Sequence, residues 1–352
     1  MRFAVALSGG VDSAVAAALL KEAGHRVTGY HMIVLPGESH STPASEDANR
    51  VAKHLNIELR VIDLREEFRE SIISYFNESY RRGLTPNPCV VCNDVIKFGV
   101  LLEEILSQGE EAIATGHYAR IVRDERQRYY IGRARSDKKD QAYFLSRIKR
   151  EKLPLIHFPN GELSKDEVRE KAERLGIPVH GKKDSQEICF IPDDNYRAFL
   201  LNYGIEGSQG AIVDTQGEER ARHKGLTQYT IGQRKGLGLQ TGERLYVKDL
   251  DFSSNRLIVG GHDELYSDGL VAYDLNWYID PEPSFDCMCK IRSSMRAIPA
   301  RVELLENGRS VIYFPERAWA VTPGQLAVLY DEEVVLGSGF IERSGIESAG
   351  AT

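Results

Sequence analysis

The chain has 352 residues, 42% hydrophobic and 28% charged, with 45 Lys and Arg against 52 Asp and Glu for a net charge of −7. That length suggests two or three domains, that composition excludes wholesale disorder, and that charge excludes a uniformly basic coat for nucleic acid. No apolar run approaches the roughly 18 residues of a membrane helix, and Met1 to Ser8 turns polar too soon for a signal-peptide core, so a cytoplasmic location without a membrane partner is expected.

The first 120 residues alternate strand and helix patterns. Phe3 to Leu7 is a short apolar run of the buried-strand kind, followed by an Ala-rich helix from Ser13 to Ala23 that Gly24 stops. Val27 to Leu35 reads as a strand, Glu46 to Leu55 as a helix and Leu59 to Leu64 as a strand. A helix near Ile96 to Leu106 precedes a strand at Glu111 to Thr115. Repeated β-α-β units imply an α/β, Rossmann-like domain with a parallel sheet, which binds ligands at the carboxyl ends of its strands.

After about residue 200 the segments shorten. Ala211 to Asp214, Arg244 to Val247, Arg256 to Val259 and Ala300 to Leu304 are separated by Gly, Asp, Asn and Pro turns. That is an antiparallel β texture, with a small barrel expected at the end of the chain. The expected division is a catalytic domain over 1–200, a small central domain over 201–272, a C-terminal antiparallel β-barrel over 273–346 and a tail over 347–352.

Charge is unevenly spread. Tyr118 to Lys152 carries twelve Lys or Arg against five acids, and Arg220 to Lys248 carries seven against one. Both stretches interleave aromatic residues. Each could be a solvated face, but two in an acidic chain suggest a localised surface for a polyanion.

Five cysteines are too few for a disulfide scaffold, and an odd number suits a reducing compartment. Cys287 and Cys289 lie on one face of an alternating strand pattern and read as buried core thiols. Cys89 and Cys92 form a C-x-x-C, a redox or metal candidate. Cys189 stands alone beside Phe190, where a packing role is the plain alternative.

Ser8-Gly9-Gly10-Val11-Asp12-Ser13 falls between the first strand and the first helix. Two glycines let backbone N–H groups turn inward, and the helix N-terminus adds partial positive charge, which together suit a pyrophosphate. It is neither a Walker A loop nor G-x-G-x-x-G. It resembles the PP-loop of ATP pyrophosphatases, which adenylate a substrate oxygen; a tight turn with an Asp cap is the bland reading. Thr85 to Asn93 is a proline-fixed loop that presents Cys92 near a helix expected to start at Asn93, whose N-terminus would favour thiolate.

Taken in order, seven motifs resemble those of the bacterial-type tRNA-specific 2-thiouridylases over nearly the whole chain. They are the PP-loop, Pro86 to Asn93, Ala114 to Arg120, Lys139 to Leu145, Asp184 to Phe190, Thr230 to Gly238 and Arg317 to Gly339. The resemblance implies conversion of the tRNA wobble uridine, position 34, to 2-thiouridine with ATP and Mg²⁺. It implies that Ala6, Leu7, Ser8, Gly9, Gly10, Val11, Asp12, Ser13, Met32 and Gly116 hold the nucleotide, with Asp12 catalytic. Asn87, Pro88 and Cys89 would line a pocket for a flipped-out base. His117, Lys139, Asp140, Gln141, Arg292, Ser293 and Gln325 would touch tRNA. Catalytic Cys189 would carry sulfur as a persulfide from a donor protein, a cysteine desulfurase or relay, and catalytic Cys92 would release it and close a transient disulfide with Cys189.

Many members carry Asp where this chain has Cys89. The extra thiol makes a three-cysteine set, Cys89, Cys92 and Cys189, able to ligate a [4Fe–4S] cluster with one iron left for sulfide. Two other readings compete: a PP-loop ligase of small molecules, like argininosuccinate or GMP synthetases, and a tRNA-binding protein without catalysis. The first has no use for the cysteines or the basic stretches, and the intact Ser8, Asp12, Cys92 and Cys189 weigh against the second.

Overall fold

The computed structural model describes residues 1–37, 41–182, 188–239 and 242–346. Asp184 to Glu187, from one of the sequence motifs, and the tail 347–352 lie outside the described residues. The chain forms two compact units: residues 1–73, 89–186 and 332–336 make the first, and 74–88, 187–331 and 337–352 the second.

The first unit is built on a five-stranded, all-parallel sheet. Its strands are β1 (Arg2–Ala6), β2 (Arg26–Ile33), β3 (Glu58–Asp63), β4 (Ala112–Ala114) and β7 (Ile156–His157), in the order β3-β2-β1-β4-β7. Between β4 and β7 come β5 (Arg120–Arg123) and β6 (Tyr129–Gly132), an antiparallel hairpin. Val334 pairs with Gly132 at the hairpin's free edge.

Helix α1 (Val11–Glu22) forms because five of its twelve residues from Ala14 to Ala18 are alanine or valine, with Ala the strongest helix former; all five are buried, so the helix lies close on the sheet. Gly24, at φ 80°, turns the chain back into β2. Helix α2 (Pro43–Leu55) starts at a Thr42 cap whose side chain accepts from Ser45 N, has Pro at its first position, and ends on Asn56 at φ 49°. The core between these helices and the sheet includes Phe3, Val5, Leu7, Val15, Val51 and Leu55.

In the second unit β8 (Gly210–Val213), β9 (Glu219–His223), β10 (Tyr246–Asp251) and β11 (Arg256–Gly260) form a sheet in the order β10-β11-β8-β9. The antiparallel expectation holds for its hairpins but not for β8 and β11, which run parallel. A parallel pair needs a long crossover, and the chain between β8 and β11 supplies it. Ile212, Leu226, Val247, Leu257 and Val259 fill its core.

The six strands β12 (Tyr266–Trp277), β13 (Ser284–Lys290), β14 (Ile298–Leu304), β15 (Ser310–Trp319), β16 (Leu326–Asp331) and β17 (Val334–Ser344) pair in the order β12-β15-β14-β13-β16-β17, and β12 pairs with β17 to close the antiparallel barrel. Closure leaves no exposed edge. The expected boundary at 272/273 falls inside β12, whose run Gly269 to Ala272 is buried and carries no turn signal. Cys289 is fully buried on β13 and Cys287 half-buried, and burial pushes the Cys287 thiol up to about 12.

Candidate active site

The carboxyl ends of β1, β2 and β4 carry Ala6 and the PP-loop, Met32, and Thr115 to Gly116. Buried His31 secures the rim, its Nδ1–H donating to Leu7 O at 2.7 Å, while Leu7 N donates to Tyr30 O at 2.8 Å. Gly9 sits at φ 72°, where a side chain is disfavoured. Gly10 caps α1 in an extended conformation without a side-chain cap, which leaves the first-turn N–H groups to face a ligand.

Ser8 N donates to Ser13 Oγ at 3.2 Å, and Ser13 Oγ donates to Gly10 O at 3.0 Å, so the motif's two serines close the turn on itself. A Cβ on Gly116 would stand 2.6 Å from Ser13 N, so that glycine lets two backbones touch. The cradle therefore fits a polyphosphate: bare backbone donors, no side chain in the way, and a carboxylate beside it.

That carboxylate, Asp12, is heavily engaged. Lys165 Nζ donates to its two oxygens at 2.8 and 2.9 Å, and Tyr118 Oη donates at 2.6 Å. Asn160 Nδ2 donates to Asp12 O at 2.9 Å and to Gly116 O at 3.2 Å. On the loop's other side Lys182 Nζ reaches Gly9 O at 3.2 Å and Asp47 Oδ2 at 2.7 Å, holding the Asp47 carboxyl below its usual range. Sequence reasoning missed Asn160, Lys165, Lys182 and Asp47. The Ser164–Glu167 capping box was a legible helix start, but nothing in it says that Lys165 reaches back to Asp12.

The C-x-x-C differs from expectation. The helical run begins at Pro88, not Asn93, because proline suits a first helical position. It continues as a π-helix over Cys92–Val100 and returns to α over Leu101–Ser107. Cys92 is thus inside the run rather than at its N-terminus. Cys89 is exposed and Cys92 half-buried. Desolvation by the surrounding protein pushes both thiols up, against the opposing pull of the Lys97 ammonium, so the thiolate expectation is corrected: the positive influence is Lys97, not a helix end.

Because π winding joins residues five apart, Lys97 lies about one turn from Cys92, and α periodicity in the sequence concealed this. Its Nζ donates to Asn93 Oδ1 at 3.0 Å and to His117 Nε2 at 3.5 Å. The His117 Nδ1–H is then left to donate to Thr115 Oγ1 at 2.7 Å, and burial holds its pKa well below the usual value.

The other sequence-named residues fall in both units. In the first, the Asp140 side chain accepts from Ala134 N at 3.0 Å and Ala142 N at 3.2 Å, and Gln141 Oε1 accepts from Tyr118 N at 2.8 Å. Lys139 is half-exposed at the surface. In the second, Arg292 donates to Ile231 O and Ala320 O, both at 3.0 Å, beside half-exposed Ser293. Gln325 Nε2 donates to Thr85 O at 3.0 Å and Pro86 O at 3.3 Å, bracing the loop into buried Asn87 and Pro88.

Cys189 is exposed, and its neighbour Phe190 packs edge-on against Phe76 and Phe199. Among the described residues no disulfide joins the cysteines, and no three His, Cys, Asp or Glu side chains gather as a metal set. Cys89 and Cys92 belong to the first unit and Cys189 to the second.

The two basic stretches part ways. In the first, Arg120, Arg128, Arg133 and Arg135 pair with Glu333, Asp124, Asp137 and Glu167 at 2.7–2.8 Å, and Arg147 is only 5% exposed. In the second, Lys224, Arg234, Lys235 and Arg244 are exposed, and Arg234 and Arg244 flank a cavity of about 240 Å³.

Comparison with known proteins adds the following. Residues 1–193 match a family model described as the tRNA methyl transferase HUP domain, 197–261 the corresponding PRC-barrel domain, and 267–341 an aminomethyltransferase beta-barrel domain. The chain is 45% identical to the tRNA-specific 2-thiouridylase MnmA of Trichlorobacter lovleyi over 97% of this chain and 98% of that one. It is 46% identical to that of Pelobacter propionicus over 97% of each, and 41% identical to that of Thermotoga sp. strain RQ2 over 97% and 99%.

Proposed function

The chain belongs to the tRNA-specific 2-thiouridylase family, and from that membership we propose that it is an ATP-dependent tRNA-uridine 2-sulfurtransferase acting on the wobble uridine. The observation that carries the reading is the polyphosphate cradle at Ser8 to Ser13 with Asp12 beside it, in a chain alike to its relatives over 97% of its length. A methyl transfer, the wording of two model descriptions, has no use for such a cradle.

ATP, bound with Mg²⁺, supplies an adenylyl group that makes the uridine C2 oxygen a leaving group. Ala6 to Ser13, Met32 and Gly116 hold the nucleotide, and the Asp12 carboxylate organises the metal. Asn87, Pro88 and Cys89 receive the flipped base. His117, Lys139, Asp140, Gln141, Arg292, Ser293 and Gln325 form the assigned tRNA set, and the inward hydrogen bonds of His117, Asp140, Gln141, Arg292 and Gln325 make those five organisers of the surface.

Sulfur travels on thiols. Cys189 takes it as a persulfide from a donor protein, and its terminal sulfur bonds to C2 as the C2–O bond to AMP breaks. The Cys92 thiol, giving up its proton to the departing AMP, then attacks the Cys189 sulfur, which leaves the sulfur on the base and a Cys92–Cys189 disulfide for a cellular thiol to reduce. Thiols outside any disulfide suit the reducing cytoplasm in which we place this cycle. The [4Fe–4S] scheme with sulfide is the competing route, and Cys89 discriminates between them. The domain division we propose is 1–200, 201–265 and 266–346, the second boundary moved from 272 to the start of β12.

The test is nucleoside mass spectrometry of tRNA from a strain lacking the protein, with tRNA-dependent ATP–pyrophosphate exchange by the purified chain. Loss of 2-thiouridine with exchange present is expected. Unchanged 2-thiouridine, or exchange driven by a small molecule instead of tRNA, overturns the reading.

A further inference from the structure

We propose that Lys165 is a phosphate-binding residue of the adenylation step, held on Asp12 until nucleotide and metal arrive. The inference rests on the reading that the Ser8–Ser13 loop takes ATP. Its basis is geometric. The Lys165 ammonium bridges both Asp12 oxygens at 2.8 and 2.9 Å, with its side chain only 11% exposed, and Tyr118 Oη takes one of the same oxygens at 2.6 Å. The nucleotide-free carboxylate thus already has its counter-charge.

A divalent cation on that carboxylate repels an ammonium held by it, so metal binding weakens the Lys165 contact. When the metal takes Asp12, the polyphosphate offers the Lys165 ammonium an anion beside the place it leaves. Its charge is a compact point on a flexible four-carbon stem, suited to a swing of this kind. Lys165 is also the first residue of its helix, behind the Ser164 cap, so its backbone stays fixed while the side chain moves. The anion that the adjoining cradle is shaped for is the polyphosphate of the nucleotide.

A second observation places the same chain segment in the site. Asn160 joins the two nucleotide-facing turns through Asp12 O and Gly116 O, yet its own Oδ1 is buried with no hydrogen-bond partner. Buried acceptors are rarely left unmet. One beside Asp12 suits a donor that arrives with the ligand, such as a metal-bound water. Residues 160–165 would then form a wall of the nucleotide site that the PP-loop motif does not announce.

The experiment titrates the full chain by calorimetry with ATP, inorganic pyrophosphate and AMP, each with Mg²⁺. Lys165→Met should weaken ATP and pyrophosphate at least about tenfold, the range for one lost charge-assisted contact, and leave AMP within about twofold. Lys165→Arg should keep ATP within about threefold. Equal loss of AMP and ATP would show a purely structural role, and unchanged pyrophosphate affinity would refute the contact; either overturns the proposal. A wild-type chain that binds neither ATP nor pyrophosphate overturns the underlying reading, and the inference with it.

Should Lys165→Met fail to fold, Asp12→Asn keeps the question open to measurement. Releasing Lys165 should tighten metal-free pyrophosphate binding. The gain should be absent in Asp12→Asn with Lys165→Gln, and a gain that persists there counts against Lys165.

Discussion

A Cβ added to Gly9 would stand 2.4 Å from the carbonyl oxygen of Ala44, in the first turn of α2. The same glycine holds φ at 72°. Gly9→Ala therefore meets two faults at once, and relieving either moves the loop or the helix. A loss of about 1–3 kcal/mol in stability is expected, with at least tenfold weaker ATP binding. Thermal melting and calorimetry on the same sample measure both.

Asp12→Ala should abolish adenylation, because the motif contains no other acid to organise magnesium. tRNA affinity should stay within about threefold, since phosphate contacts dominate it. Pyrophosphate exchange at near wild-type rate would remove Asp12 from the chemistry.

The three thiols separate two sulfur routes. Cys92→Ala and Cys189→Ala should each stop 2-thiouridine formation while exchange continues. In the relay, Cys89→Ala remains active with a persulfide donor on aerobically prepared protein. Brown anaerobic protein with about four irons per chain, inactive as Cys89→Ala, would establish the cluster instead.

Charge neutralisation should act through the second basic stretch. Replacing exposed Lys224, Arg234, Lys235 and Arg244 by Gln should weaken tRNA binding and reduce the salt slope by roughly one unit per lost phosphate contact. Removing buried Arg147 should cost stability rather than slope. Filter binding across a salt series distinguishes the two.

Asp47 offers a pH signature. The Lys182 hydrogen bond holds its carboxyl below the ordinary 3.8. A carboxyl lowered in the native state stabilises the fold above the unfolded value and loses that contribution as pH falls through the native one. Asp47→Asn should thus cost on the order of 1 kcal/mol near neutrality, and the difference should shrink at pH values below 3.8. Urea unfolding at both pH values reads it.

The parallel sheet was legible because β1, β2 and β4 are short apolar runs spaced by amphipathic or Ala-rich helices, and Gly9 and Gly10 announce their turn. Lys165 and Asn160 were not, since their partner Asp12 is about 150 residues away and only folding brings them together. Lys97 was hidden differently. An α-helical reading of 92–100 turns it away from Cys92, whereas the observed i→i+5 winding brings it back to within one turn. The stretch Tyr118 to Lys152 was ambiguous, because a basic run looks alike whether its members face water or, like Arg147, the core.

The pairing of Val334 with Gly132, backed by Arg133 N donating to Glu333 O at 2.8 Å, sets a timetable for synthesis. The first unit takes the last piece of its β5–β6 edge from residues 332–336, which leave the ribosome some two hundred residues after the hairpin they complete. At about 5–20 residues per second that edge waits roughly ten to forty seconds, open to pairing with other nascent chains. A gene cut between the α/β domain and the barrel would make the wait permanent, so the two halves are bound to one reading frame by a few residues near its end.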